Sequence, residues 1–123
     1  MLKQNLYFKQ SKKISMVNVG LFIKIDVKHG READLDILLR SGVLLAQDEP
    51  ATSAWFAIRM GPSTFGIFSA FLNDSGRQEH LGGKIIKLLM EKAADLFVQS
   101  PKIQKVDILA AKLPQIRIDD YEE

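Results

Sequence analysis

Cysteine is absent from this chain of 123 residues, and histidine occurs twice. Without thiols there is no disulfide, no thiolate zinc site, no iron–sulfur ligation and no cysteine nucleophile. Two histidines, neither with an acid at metal-ligand spacing, are too few to make a metal site convincing. No glycine-rich phosphate loop and no G-x-S-x-G turn occurs, and Ser41 and Ser69 have no base near them in sequence. No apolar run approaches the roughly 20 residues of a membrane span. The basic start leads into an alternating stretch that contains Lys24 and Asp26, unlike a signal peptide, so a cytoplasmic protein is expected.

Neither sign of charge dominates, with 17 Lys and Arg against 15 Asp and Glu. Their placement is uneven. Residues 1–16 carry Lys3, Lys9, Lys12 and Lys13 and no acid, whereas the last five residues hold Asp119, Asp120, Glu122 and Glu123. A basic arm and an acidic tail thus flank a near-neutral body, which is no signature of nucleic-acid binding. The length suits one domain, expected over 17–114, with an arm at 1–16 and a tail at 115–123.

Within the body the periodicity is clear. Val17, Val19, Leu21, Ile23, Ile25 and Val27 alternate with Asn18, Gly20, Phe22, Lys24 and Asp26, as in a half-buried strand. Leu35, Leu38, Leu39 and Val43 predict a helix over 31–47, with Glu32, Asp34 and Asp36 early, at the positive helix end. Two strands, 53–60 and 64–71, are joined by Gly61-Pro62-Ser63. A second helix is predicted over 75–99, capped near Asn73-Asp74-Ser75, with Gly82-Gly83 inside it. Each internal glycine costs a helix roughly 1 kcal/mol against alanine, so the pair implies that something approaches closely there. A last strand is predicted over 103–112.

The order β-α-β-β-α-β is the ferredoxin-like α+β arrangement, a four-stranded antiparallel sheet with two helices on one face. Both sides of the hairpin are apolar. Trp55 and Ala57 share one face with Arg59, and Phe56, Ile58 and Met60 share the other. A lone sheet would keep its second face polar. A second copy packed sheet to sheet, with two-fold symmetry, is the economical cover, so a homodimer is expected.

Three stretches carry a family resemblance. These are Glu49 to Arg59 (EPATSAWFAIR), Phe65 through Arg77-Gln78-Glu79-His80-Leu81, and Asp107 to Pro114 (DILAAKLP). Together they resemble the antibiotic biosynthesis monooxygenase superfamily, over about residues 17–114. The resemblance implies a dimeric α/β barrel of ferredoxin-like subunits. It also implies oxidation of phenols, quinols or anthrones by O2 without a cofactor, although other members degrade haem, process small signalling molecules or have no known activity. Haem degraders of this fold are expected to carry an Asn on the first strand, where this chain has Ile23. They carry a Trp on the second hairpin strand, where it has Phe68 and Phe71. Both departures argue against haem degradation.

His80 matches the family's His-Leu element and is the candidate base or proton relay. The other reading is a structural histidine bonded to a neighbouring strand or to the dimer partner. Trp55 is the candidate wall for an aromatic substrate, or else a core or interface residue. Arg59 is the candidate partner for a developing phenolate, or else pairs with Glu49 or another acid. Phe68 and Phe71 are candidate substrate contacts or core. Arg77, Lys84 and Lys87 suggest a basic strip or a solvated helix face, and His29 sits inertly in a turn. Three functions are open: a cofactor-independent oxygenase for a small aromatic with O2, a non-catalytic dimeric binding module, and a stress-related protein with a filled core. Neither nucleic acid nor membrane is expected as a partner.

Overall fold

The computed structural model describes residues 17–114; the arm at 1–16 and the tail at 115–123 lie outside the described residues. Strand β1 (Val19–Asp26) is followed by helix α1 (Glu32–Gln47), the hairpin β2 (Thr52–Arg59) and β3 (Thr64–Phe71), helices α2 (Asp74–Leu81) and α3 (Lys84–Leu96), and strand β4 (Lys102–Asp107). The sheet order is β2-β3-β1-β4, with all neighbours antiparallel. This is the ferredoxin-like fold that the sequence predicts.

The alternation in β1 decides which face is buried. Leu21, Ile23 and Ile25 are almost wholly enclosed, and they pair in register with Ser69, Ile67 and Phe65 of β3. Leu35, Leu39 and Ala46 of α1 and Ile85, Ile86, Leu89 and Leu96 of α3 close this face into one core with Phe71 and Phe97. Gly42 weakens α1 intrinsically but lets it approach β2: a Cβ there would lie 3.3 Å from the Trp55 ring.

The helix predicted over 75–99 is two helices. It breaks at Gly82, which caps the end of α2, and at Gly83, which caps the start of α3 in extended conformation. Paired glycines give a helix little reason to continue, and the space they leave is used by a neighbour described below. The N-cap is Asn73, the first residue of the predicted capping stretch; its Oδ1 accepts the Gly76 N–H at 3.1 Å. The second helix ends at Leu96 because Phe97 turns extended and enters the core.

Arg77 is buried and forms no basic strip. Its guanidinium donates to the carbonyls of Gly20 and Val106, both at 3.2 Å, and to Asp74 Oδ1 at 2.9 Å, clamping α2 to the end of the sheet. That contact holds the Asp74 carboxyl below its ordinary range.

The other sheet face carries Phe22, Phe56, Ile58, Phe68 and Val106. Gly20 and Gly66 serve as seats on it. A Cβ on Gly20 would meet the Phe68 ring at 3.1 Å, and one on Gly66 would meet the Phe22 ring at 3.0 Å, so both rings lie across the sheet. Phe56, Ile58 and Met60 remain exposed there. Among the described residues, no helix is long and apolar enough to cross a membrane.

Candidate functional site

The turn between α1 and β2 places a carboxylate against the break between α2 and α3. The Glu49 N–H bonds back to Ala46 O at 3.0 Å, and Glu49 O accepts the Thr52 N–H at 3.1 Å. Pro50, which has no N–H, sits where α1 can no longer propagate. The turn thereby fixes Glu49 facing α2.

His80 Nδ1 lies 2.6 Å from Glu49 Oε1, which also accepts Thr52 Oγ1–H at 2.9 Å. An ionised carboxylate only accepts, so in this contact the Nδ1–H donates. The His80 ring is fully enclosed, whereas the Glu49 side chain keeps 20% of its surface. Phe71 packs on the imidazole with ring centroids 5.3 Å apart. His80 Nε2 is buried with no hydrogen-bond partner among the described residues.

Gly83 is needed for this arrangement. A Cβ there would lie 2.7 Å from Glu49 Oε2 and 3.1 Å from the His80 carbonyl. The close approach implied by the doubled glycine is therefore that of the Glu49 carboxylate, beside the N-terminus of α3. Unpaired amides make that end favourable for negative charge.

A cavity of about 250 Å³ adjoins the pair, lined by Glu49, Thr52, His80 and Gly83, with Leu45, Pro50 and Ala51 as its apolar side and Asp48, Glu79 and Lys84 as its charged side. Among the described residues, no group of three or more His, Asp or Glu stands together to hold a metal. A carboxylate on the cavity wall, held by a buried imidazole, can accept a proton from a hydroxyl group in a site partly shielded from water.

The other candidate residues are distributed differently. Phe71 joins His80 directly. Trp55 sits on the helix-facing side of β2 against Gly42, outside this cavity, and its Nε1 and the Oγ of its cross-strand neighbour Ser69 are buried without partners among the described residues. Phe68 lies on the opposite sheet face from His80. The Arg59 guanidinium stacks 4.9 Å over Phe65 and makes no pair with Glu49. Phe65 and Phe71 occupy opposite ends of β3, about 20 Å apart at 3.3 Å per residue. Arg59 and His80 are therefore not brought together. Sequence reasoning missed Glu49 and Thr52 as partners of His80. The signal was Gly82-Gly83, which marks a close approach without naming the group that makes it.

No protein-family model matches the sequence, and comparison with curated proteins finds no match. Solved structures do match. A protein of unknown function from Nitrosomonas europaea is 49% identical, with a TM-score of 0.79, over 80% of this chain and 96% of that one. A candidate antibiotic biosynthesis monooxygenase from the same organism is 14% identical, with a TM-score of 0.67, over 75% of this chain and 90% of that one. Another candidate antibiotic biosynthesis monooxygenase, from Chloroflexus aurantiacus, is 13% identical, with a TM-score of 0.61, over 77% and 96%.

Proposed function

This chain belongs to the same family as the Nitrosomonas europaea protein of unknown function and has the fold of the antibiotic biosynthesis monooxygenases, and on that premise we propose that it is a cofactor-independent monooxygenase for a small hydroxyaromatic substrate. The observation that carries the reading is the 2.6 Å contact between Glu49 and His80 beside a cavity. In this reading the substrate hydroxyl gives its proton to Glu49, the member of the pair with exposed surface. His80 and Thr52 hold Oε1 and keep the carboxylate aimed. The resulting phenolate reduces O2 itself. For a quinol, one oxygen atom enters the ring and the other leaves as water, and the substrate supplies all four electrons. The protein contributes orientation, a base and a sheltered site.

The working unit in this reading is a homodimer joined through the open sheet face. Phe56 is 53% exposed, Ile58 41% and Met60 49%, a patch that favours a second copy over water. A second functional reading, a dimeric module that binds a small aromatic without transforming it, is favoured by the complete enclosure of the His80 ring. Oxygen uptake with a panel of quinols separates the two. The oxygenase consumes O2 in proportion to added quinol, and Glu49→Gln lowers the rate by about 100-fold or more, the usual scale of general-base catalysis. Binding without uptake across the panel supports the binding module instead.

A further inference from the structure

We infer that the ligand of the Glu49 cavity is a single-ring phenol or quinol without an anionic substituent, and that a protonated amine on that ring improves its binding; this rests on the reading of the cavity as the substrate site. Two observations carry it, one of size and one of charge.

The cavity measures about 250 Å³. An apolar cavity of about 150 Å³ is enough for benzene, and pockets for drug-sized ligands start near 300 Å³. One ring with a short side chain fits this space, and three fused rings would reach beyond it into solvent. Nor is the wall slack on the α2 side: a Cβ on Gly76 would lie 3.1 Å from the Ala51 carbonyl, so the helix already rests on the loop. Leu45, Pro50 and Ala51 give the ring an apolar seat in the same cavity as the Glu49 carboxylate.

Charge decides the substituent. Among the described residues, Asp48, Glu49 and Glu79 line the cavity, with Lys84 as the one Lys or Arg. Asp48 and Glu79 are exposed, so each acts weakly through solvent. An exposed pair changes affinity by roughly two- to fivefold, and the effect is screened by salt. An anionic substituent meets net repulsion at this wall, and a cationic one meets attraction.

The test uses the full chain under anaerobic conditions, with binding read by calorimetry. The probes are hydroquinone, its aminoethyl and carboxymethyl derivatives, and a three-ring dihydroxyanthracene. The aminoethyl compound is expected to bind about fivefold tighter than hydroquinone and the carboxymethyl compound about fivefold weaker, with the three-ring compound bound more weakly than hydroquinone. In the double variant Asp48→Asn, Glu79→Gln, the amine-to-carboxylate ratio is expected to fall about tenfold. Tightest binding of the three-ring or the carboxylated compound overturns the inference. So does a ratio that the double variant leaves unmoved, or binding of none of the four. Oxygen uptake, measured separately on admitting air, distinguishes this inference from the reading beneath it. The predicted binding order without uptake removes the oxygenase and keeps the ligand class. Uptake with the three-ring compound alone does the reverse.

Discussion

His80 Nδ1 donates to Glu49 Oε1 at 2.6 Å, joining α2 to the turn between α1 and β2 across 31 residues of sequence. The imidazole has no exposed surface, so its protonated nitrogen depends on this acceptor. Deleting the acceptor leaves a buried donor unpaired, which costs more than the bond itself contributes. Glu49→Ala is therefore expected to destabilise the protein by about 1–3 kcal/mol in denaturant titration. Glu49→Gln keeps a carbonyl acceptor for Nδ1–H and should cost less than half as much. Equal losses for the two variants would show that His80 does not rely on the bond.

Gly83→Ala should act on the same pair from the other side. The new methyl meets Glu49 Oε2, the far end of a flexible side chain, so the carboxylate moves and the fold survives. Alanine is also a poorer N-cap than glycine, and the stability loss should stay near 1 kcal/mol. The sharper reading is the His80 Nδ1 proton in NMR. It should shift upfield or broaden in the variant as the short bond lengthens, and an unchanged resonance would mean that Gly83 is not the seat of the carboxylate.

The clamp between Asp74 and Arg77 makes a statement about pH. The hydrogen bond from Arg77 lowers the Asp74 carboxyl below its ordinary 3.8. A carboxyl depressed in the folded state stabilises fully above its unfolded pKa, and that contribution is lost as pH falls through the folded value. The stability difference between the wild type and Asp74→Asn should be constant above about pH 5, shrink below the ordinary 3.8 and vanish in stronger acid. A difference that is already absent at neutral pH would remove the clamp from the account.

The open sheet face predicts an assembly state. Phe56→Asp places a charge among Phe22, Phe68 and Ile58, where a second copy would bury it. Light scattering should give a dimer for the wild type and a monomer for the variant, with the far-ultraviolet circular dichroism retained. A monomeric wild type would contradict the cover proposed for this face.

Much of the fold is legible in the sequence because its signals are local. The alternation around β1 identifies both the strand and its buried side, and Gly61-Pro62-Ser63 announces the hairpin. The break between α2 and α3 is less legible. Gly82-Gly83 states a propensity, while the reason for the break is the Glu49 carboxylate, distant in sequence. The site shares that limit. His80 stands out as one of two histidines, but its partner is an ordinary surface-type residue until the α1–β2 turn brings it near. Arg59 and Trp55 share a strand face with Ala57, yet period two says nothing about distance along the sheet from His80. Arg77 reads as one more charge on a helix, and only the sheet-end carbonyls of Gly20 and Val106 explain its burial.

Steady-state oxygen uptake with single-ring quinols, compared between wild type and Glu49→Gln at neutral pH, asks whether Glu49 is the base. The glutamine keeps the acceptor for His80 and removes the base, so structure and chemistry separate in one substitution. Quinol-dependent uptake is expected in the wild type, with a loss of about 100-fold or more in the variant and a stability change below about 1 kcal/mol. Uptake at the wild-type rate in Glu49→Gln, or none above the uncatalysed background in the wild type, would contradict that role.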